Sequence, residues 1–437
     1  MPWSRGYAPL SLEGSDTEFD EKVSDGGSSR FAYMRRQLIH FLPSFFHPTP
    51  LIRLVVAGIP SVCVFFVISG YAISIKLAQL SHQGKSAEFA QSLASSIFRR
   101  HQRLFMPATA VLLMSAIMSY FLLFPTEPWS RKVAIATRVP PHLDSLMGQL
   151  RNWAQQSISL AYPIRNTINS RDVNPYDPNL WTLPVEFGCS MLVFTLHAAT
   201  HKFRPRARIV FNLALIAYAL YRTEFNILLF MCGMFMADLQ AYASVRDERR
   251  HDLPLQKVPG YRTLRTPLAR RAAALFAFVF CVYLLSMPEP QRGASEDPFY
   301  RGLINIVPEF FHLGKNTVHY WVCIGAVSLV ATIDRSTFLQ RFFNTPFAQY
   351  LGKISFALYL VHGPIVWSLG AWLAARLVPT QEDATDAQYG WGVVLCYLGL
   401  WPVLIYVSDL ATRLVDAKVV SFSRWVYGKL IVKTERS

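Results

Sequence analysis

The sequence predicts an all-α integral membrane protein, a helical bundle of about nine spans. Of its 437 residues, 52% are hydrophobic and only 16% are charged, whereas about a quarter of the residues of a soluble domain are charged. The mean hydropathy is +0.24. The apolar residues also collect in long runs separated by basic segments, which is typical of a polytopic membrane protein.

Each predicted span is an apolar segment close to the length of about 20 residues that crosses a bilayer as a helix. The fourth and fifth segments are short and are separated by Arg222 and Glu224, so they could instead form a tight helical hairpin. The nine segments are 54–75, 104–124, 180–197, 208–222, 225–242, 272–288, 317–333, 350–376 and 389–412.

Basic residues orient the bundle, because Lys and Arg collect in cytoplasmic loops. Clusters such as 99–103, 201–208 and 246–271 follow alternate spans, which predicts a cytoplasmic C-terminus. Nine spans then place the N-terminus on the opposite side, although residues 1–30 resemble an acidic, disordered cytoplasmic tail without a signal peptide. Either one helix is missing between residues 31 and 53, or the tail is translocated.

The chain therefore divides into three parts. Residues 1–50 form an irregular tail with a degenerate first span, 51–420 form the membrane domain, and 421–437 form a basic cytoplasmic tail. We expect a multi-pass protein of the endoplasmic reticulum or another endomembrane, with the plasma membrane as an alternative.

The net charge of +15 does not indicate nucleic-acid binding, because basic loops in a membrane protein meet anionic lipid. The six cysteines lie in or beside apolar runs without a C-x-x-C pair, so neither a zinc site nor a disulfide framework is expected. The sequence contains no G-x-S-x-G, Walker or H-E-x-x-H motif in a suitable structural context.

Three arginines stand before the second predicted span. Arg99, Arg100 and Arg103 lie at the expected cytoplasmic entrance of a helix, and Arg100 and Arg103 are spaced to share one face. Guanidinium groups bind phosphate oxygens bidentately and keep their charge, which favours a phosphate site. The alternative is a cytoplasmic anchor of the span.

The third span begins with Trp181 at interface depth and carries Glu186 about two turns in. Ionisable residues inside spans are costly and are therefore candidates for functional sites. A carboxylate at this depth could position a substrate hydroxyl, orient a histidine, or form a structural pair with an arginine.

The eighth span contains a polar stripe. Ser355, Tyr359 and His362 are spaced by four and three residues and so line one helix face, which Pro364 is expected to kink. Histidine is suited to proton transfer near neutral pH. The alternative is a buried histidine that only bonds its neighbours. The ninth span ends in Asp409, Arg413 and Asp416, whose spacing predicts a self-paired structural strip.

Five stretches occur in the order of a known family: VFFVISGYAIS (64–74), SIFRRHQRLFMPA (96–108), LWTLPVEF (180–187), ISFALYLVHGPI (354–365) and SDLATRLVDA (408–417). Together they cover about residues 50–430, and the chain resembles the acyltransferase 3 family of integral membrane acyltransferases. It is most similar to the branch found beside fungal natural-product genes.

This resemblance implies a ten-helix core that transfers an acetyl or other short acyl group from acyl-CoA, without a tightly bound cofactor or a metal. The acceptor would be a hydroxyl of a sugar, a lipid or a small metabolite. By analogy, the Arg99–Arg103 cluster would meet the phosphates of the donor. His362 and Glu186 would lie along the reaction cavity, with Trp181, Ser355 and Tyr359 lining it.

The family's usual base is a histidine in the first helix, about ten residues after an arginine. Arg36 and His47 have this spacing and His40 is a weaker candidate, but Pro43 interrupts the segment. Gly188 also stands where the family commonly has an arginine. Two alternatives to an active enzyme therefore stay open, a catalytically inactive relative and a membrane transporter.

Overall fold

The computed structural model describes residues 58–125, 139–162, 174–251, 267–287, 299–312, 317–379 and 385–431, and this part of the chain contains helices but no strand. A 3₁₀ turn, Pro178–Trp181, precedes α4, and π turns at Val366–Gly370 and Thr412–Asp416 join the last two helix pairs. The helices are α1 Gly58–His82, α2 Ser86–Tyr120, α3 Leu146–Ala161, α4 Thr182–Thr200, α5 Pro205–Tyr221, α6 Phe225–His251, α7 Pro267–Leu285, α8 Arg301–Asn305, α9 Glu309–His312, α10 Thr317–Arg335, α11 Thr337–Phe343, α12 Pro346–Ile365, α13 Ala371–Leu377, α14 Asp386–Ala411 and α15 Ala417–Leu430.

Among the described helices, seven are long and apolar enough to cross a membrane, or eight if the bent pair α10–α11 crosses as one. The seven are α1, α2, α4 with its preceding turn, α6, α7, α12–α13 and α14–α15. The predicted all-α membrane bundle is confirmed, and each of the nine predicted segments coincides with a helix. However, α5 has 17 residues and is not among the seven. The helix α10 qualifies only with α11, from which it is bent by 101°.

Two helix boundaries differ from the sequence prediction. The helix α2 begins at Ser86 rather than near residue 104, so its arginines lie inside the helix and not before it. The last helix extends to Leu430 and packs against α2, with the rings of Phe98 and Tyr427 5.5 Å apart. The helical structure therefore continues beyond residue 420, to Leu430.

The helices α1 and α6 make the most extensive helix–helix contact in the described part of the chain. Two glycines allow it: a Cβ atom on Gly70 would overlap the carbonyl group of Phe230, and one on Gly233 would overlap the backbone at Val67. Small residues at such a crossing let two backbones approach closely, which is the usual way in which helices pack tightly in a membrane.

The helix α4 lies between two apolar clusters. Val185, Cys189 and Val193 pack into a cluster formed with α1, α6 and α10. Leu183 packs into a second cluster formed with α2, α12 and α14. A polar side chain on α4 between these two faces is therefore screened from lipid on both sides, and Glu186 occupies such a position.

Pro364 does not end its helix. The chain continues from α12 through the π turn Val366–Gly370 into α13, and the Ser368 hydroxyl donates to the Pro364 carbonyl at 2.7 Å. Because proline lacks an N–H group, it removes one bond of the helical ladder. The irregularity predicted at Pro364 takes the form of this π turn, a feature frequently found at functional sites.

Candidate active site

Two side chains of α12 meet the start of α4. The Tyr359 hydroxyl lies 2.5 Å from the Thr182 hydroxyl and also donates to the Asn179 carbonyl. His362 lies on the same face, with Nδ1 2.6 Å from the Tyr359 carbonyl oxygen and Nε2 3.4 Å from the Asn179 side-chain nitrogen. Because a carbonyl only accepts hydrogen bonds, Nδ1 carries the proton and Nε2 is the basic nitrogen.

The segment that faces these residues, 174–181, is held firmly between α2 and α3. Tyr176 is fully buried, and its hydroxyl donates to Asn152 at 2.8 Å and accepts from Gln149 at 3.0 Å. Its backbone N–H donates to Asn174, and its carbonyl accepts from Ser115 on α2. The position of the segment relative to α12 is therefore fixed by buried hydrogen bonds.

Asp177 was not found by sequence analysis. One carboxylate oxygen accepts the backbone N–H of Asn179 at 2.8 Å and so begins the 3₁₀ turn. The other, Oδ2, is buried without a hydrogen-bond partner. A Cβ atom on Gly363 would lie 2.7 Å from Oδ2, so glycine is needed where α12 passes this carboxyl group. Burial raises the pKa of Asp177 to about 7.

Glu186 forms a buried ion pair. Its Oε1 lies 2.6 Å from an Nη nitrogen of Arg100, and the two side chains are 5% and 13% exposed. The Ser69 hydroxyl donates to the same oxygen at 3.5 Å, and the Arg100 Nε donates to the Ser190 hydroxyl at 3.1 Å. Of the roles open to Glu186, the structure therefore shows the pair with an arginine.

The pair corrects the predicted position of the arginine cluster. Arg100 lies about four turns into α2 and beside Ser69, near the middle of α1, rather than at a helix entrance. Arg103 is exposed, whereas Arg100 is largely buried. The two guanidinium groups therefore do not form the single surface cluster that was predicted. Arg99 donates to the Ser95 carbonyl of its own helix.

Two of the three predicted cavity-lining residues do not line a common cavity with His362. Ser355 is exposed, and its hydroxyl donates to the Gly352 carbonyl of the same helix, so this prediction was wrong. The polar stripe leaves the covered face of α12 one turn before Tyr359. Trp181 instead lines a cavity of about 120 Å³ with α1, Phe225 and His319, on the other side of α4.

A larger groove lies on the outer face, between α12 and α14. It measures about 660 Å³ and is lined mainly by aromatic and aliphatic side chains, including Tyr350, Trp401 and Tyr406. Tyr350 lies about 18 Å from His362 along the helix axis. The one acidic residue of the groove, Asp409, pairs with Arg413 at 2.7 Å. This pair confirms one part of the strip predicted at the end of the ninth span. The third member, Asp416, does not complete the strip, because its Oδ1 is buried without a hydrogen-bond partner.

A second buried ion cluster was also missed. Asp238 on α6 lies 2.9 Å from the Arg208 Nε and 3.0 Å from the His82 Nε2, and both Asp238 and Arg208 are almost completely buried. Arg208 also donates to the Ser81 hydroxyl at 2.7 Å. Arg208 was predicted to be a cytoplasmic loop charge, whereas it ties the first turn of α5 to α1 and α6.

The remaining predicted site residues, Arg36 and His47, and the weaker candidate His40 lie outside the described residues. So do the proposed 1–50 tail and residues 432–437 of the C-terminal tail. In the part of the chain that the structure describes, no group of three or more His, Cys, Asp or Glu side chains is placed to hold a metal ion.

A sequence profile of the acyltransferase domain family, Acyl_transf_3, matches residues 38–412. The chain belongs to the acyltransferase 3 family. It is an acyltransferase, and the family together with its seven or more apolar helices makes it a multi-pass membrane protein.

Three fungal relatives support the family assignment. The chain is 36% identical to the O-acetyltransferase PaAT-1 of Phomopsis amygdali over 396 residues, which cover 89% of this chain and 78% of the relative. It is 27% identical to the acyltransferase R4 of a Phoma species, covering 80% and 77% of the two chains. It is 24% identical to the acyltransferase clz18 of Cochliobolus lunatus, covering 88% and 84%. No solved structure matches this acyltransferase.

Proposed function

We propose that this acyltransferase moves an acetyl or other short acyl group from acyl-CoA to a hydroxyl group of a small metabolite, a sugar or a lipid. The relative PaAT-1 is an O-acetyltransferase by name, which supports an ester product and a short acyl group. Acyl-CoA is a co-substrate in this proposal, and the protein itself supplies the acid–base groups.

The observation that carries the proposal is the state of His362. Its Nδ1–H is bound to the Tyr359 carbonyl, which leaves a basic Nε2 on the side where Asn179 lies. A histidine held in one tautomer with its basic nitrogen directed away from the helix is arranged as a general base. A proton transfer of this kind contributes a factor of about 10²–10⁴ to the rate.

In the proposed reaction, the acceptor oxygen attacks the thioester carbonyl carbon while His362 Nε2 takes the hydroxyl proton. The new C–O bond forms, and the C–S bond breaks with its electron pair on sulfur. The imidazolium then returns the proton to the thiolate, so the products are the ester and CoA. The histidine ends in its starting state and no further reactant is needed.

Under this proposal, Arg100 and Arg103 have different roles. Arg100 is bound to Glu186 and Ser190, so it fixes α2 against α4 and positions the cavity wall. Arg103 is exposed on the next turn and offers its guanidinium to the phosphates of the donor. Glu186 is then a positioning residue, because its carboxylate is occupied by Arg100 and Ser69.

The test uses the full-length protein in lipid nanodiscs with radiolabelled acetyl-CoA. Octanol, a sterol, a phenol and glucose serve as acceptors. A sample without added alcohol measures the slow hydrolysis of acetyl-CoA, in which water is the acceptor. Release of the CoA thiol and formation of the labelled ester are measured together. We expect ester formation with at least one alcohol, and absence of CoA release under every condition would contradict the proposed donor.

A further inference from the structure

The carboxyl group of Asp177 is an unused polar group beside the proposed base. Its Oδ1 accepts the Asn179 N–H, whereas Oδ2 is buried without a hydrogen-bond partner. Asp177 as a whole is 1% exposed. The inference drawn from it rests on the proposed function, because it assigns a role in the same acyl transfer.

Burying Oδ2 without a hydrogen-bond partner destabilises the fold, so a functional reason for it is expected. A buried polar atom without a partner has lost its hydrogen bonds to water and gained none in return, and the cost is larger still if the group is charged. The segment that carries Asp177 cannot swing out to water, because Tyr176 is locked into α2 and α3 by buried hydrogen bonds. The fold therefore holds Oδ2 in place, and a partner has to come to it.

The carboxyl group also lies close to the proposed base. Its Oδ2 lies against Gly363, the residue that follows His362. Asn179 donates its backbone N–H to Asp177 Oδ1, and its side-chain nitrogen lies 3.4 Å from His362 Nε2. Because Gly363 has no side chain, the Asp177 carboxyl group can lie directly against α12 at this point. The base His362 and the residue that contacts the unpartnered oxygen, Gly363, are thus consecutive residues of α12.

We propose that Asp177 is a catalytic hydrogen-bond donor, which in its protonated form binds the carbonyl oxygen of the acyl thioester while His362 accepts the proton of the acceptor hydroxyl. Negative charge grows on that carbonyl oxygen as the acceptor attacks, and a fixed donor in a dry site stabilises it. Asp177 keeps its proton throughout, so the balance of the reaction is unchanged. The Asn179 side-chain N–H is a second donor on the same side.

The surroundings favour the protonated acid over the carboxylate. Burial raises the pKa of Asp177 to about 7, and only the hydrogen bonds to Asn179 oppose this rise. The buried guanidinium of Arg100 is bound to Glu186. The buried titratable groups around this segment include Tyr359 and His362 on α12, Glu186 on α4, Arg100 on α2 and Tyr176 in the segment itself. The neighbouring helices also carry His101 and Arg103 on α2, Arg151 on α3 and Lys353 on α12.

Three variants separate the donor role from a structural role. In Asp177→Asn, the side-chain oxygen still accepts the Asn179 N–H and the new NH₂ group donates in place of Oδ2–H. In Asp177→Ser, the hydroxyl can still begin the 3₁₀ turn, but it is too short to donate at the position of Oδ2. Asp177→Ala loses both functions.

The experiment measures the kcat of CoA release, its pH profile and the thermal unfolding temperature of each purified variant. We expect Asp177→Asn to stay within about tenfold of the original kcat, and Asp177→Ser and Asp177→Ala to lose about 10²–10³-fold. Asp177→Ser should keep the unfolding temperature. Because the protonated acid is the active form, the rate of the original protein should fall as the pH rises through about 7, and Asp177→Asn should lose this fall.

The inference would be overturned if Asp177→Ser released CoA with the same kcat as the unsubstituted protein. It would also be overturned if Asp177→Asn lost as much kcat as Asp177→Ser. Either result, obtained while the original protein forms ester and His362→Ala does not, would leave the proposed function intact. A protein that releases no CoA under any condition would instead overturn the proposed function itself.

Discussion

The Nε2 atom of His362 lies 3.4 Å from the side-chain nitrogen of Asn179, although 183 residues separate the two in the chain. This contact joins α12 to the segment that precedes α4. It brings His362, the one side chain of the polar stripe on α12 that can act as a base, close to the buried carboxyl group of Asp177.

Replacing Gly363 by alanine should disturb the site locally. The new methyl group would lie 2.7 Å from the Asp177 carboxyl oxygen, so the segment or the helix has to shift. We expect a fall in kcat of at least tenfold, measured as CoA release, because a displacement of about 1 Å costs up to about 10²-fold. The matched control is Gly352→Ala in the same helix, where the added carbon meets nothing within 4 Å. An equal loss in both variants would contradict this reading of Gly363.

Breaking the Arg100–Glu186 pair from one side should destabilise the bundle. Glu186→Met leaves a buried guanidinium without its carboxylate, which costs about 3–5 kcal/mol. The double variant Arg100→Met with Glu186→Met removes both charges and should recover much of the unfolding temperature, measured by thermal unfolding in detergent. If the single variant unfolded at the original temperature, the pair would not be a structural element of the bundle.

Substituting the exposed Arg103 should weaken binding of the donor, whereas substituting the exposed Ser355 should not. Arg103→Ala should raise the KM for acetyl-CoA about tenfold or more, because a hydrogen bond to a charged group is worth about 1.5–3 kcal/mol, while kcat and thermal stability hardly change. Ser355→Ala should leave both kinetic constants unchanged, since its hydroxyl serves its own helix. Arg341→Ala on α11 is the matched control for loss of one exposed arginine. An unchanged KM in Arg103→Ala would remove Arg103 from the donor site.

The buried Asp238 cluster should stabilise the fold without taking part in the reaction. Asp238→Ala leaves Arg208 buried and unpaired with its carboxylate, and we expect a loss of about 3–5 kcal/mol in stability. The kcat per folded molecule should stay within about threefold of the original value. Measuring thermal unfolding and the active fraction together separates the two effects, and a specific loss of kcat in the folded fraction would show that the cluster serves catalysis.

Much of the helical architecture could be predicted because hydropathy and segment length decide it. The nine apolar segments all became helices, and the spacing of Tyr359 and His362 placed both on the covered face of α12. The same spacing failed at Ser355, because periodicity gives the face of a helix but not where a neighbouring helix stops covering it. Arg208 resembled a loop charge because its partner Asp238 is 30 residues further along and in another helix.

Asp177 could not have been found from its local pattern. An aspartate before Pro-Asn is an ordinary beginning of a turn, and that is what one of its oxygens does. The isolation of the other oxygen and its contact with Gly363 exist only after α12 has packed against the 174–181 segment. The Gly-Pro pair after His362 was the one available signal, since it showed that something has to approach the helix closely there.

The most direct test of the account compares ester formation from radiolabelled acetyl-CoA by the original protein, His362→Ala and the exposed control His142→Ala, at equal amounts of folded enzyme in nanodiscs. The account predicts that His362→Ala loses about 10²–10⁴-fold in kcat, keeps its KM for acetyl-CoA and unfolds near the original temperature, while His142→Ala stays fully active. Full activity of folded His362→Ala would contradict the central claim that this histidine is the base.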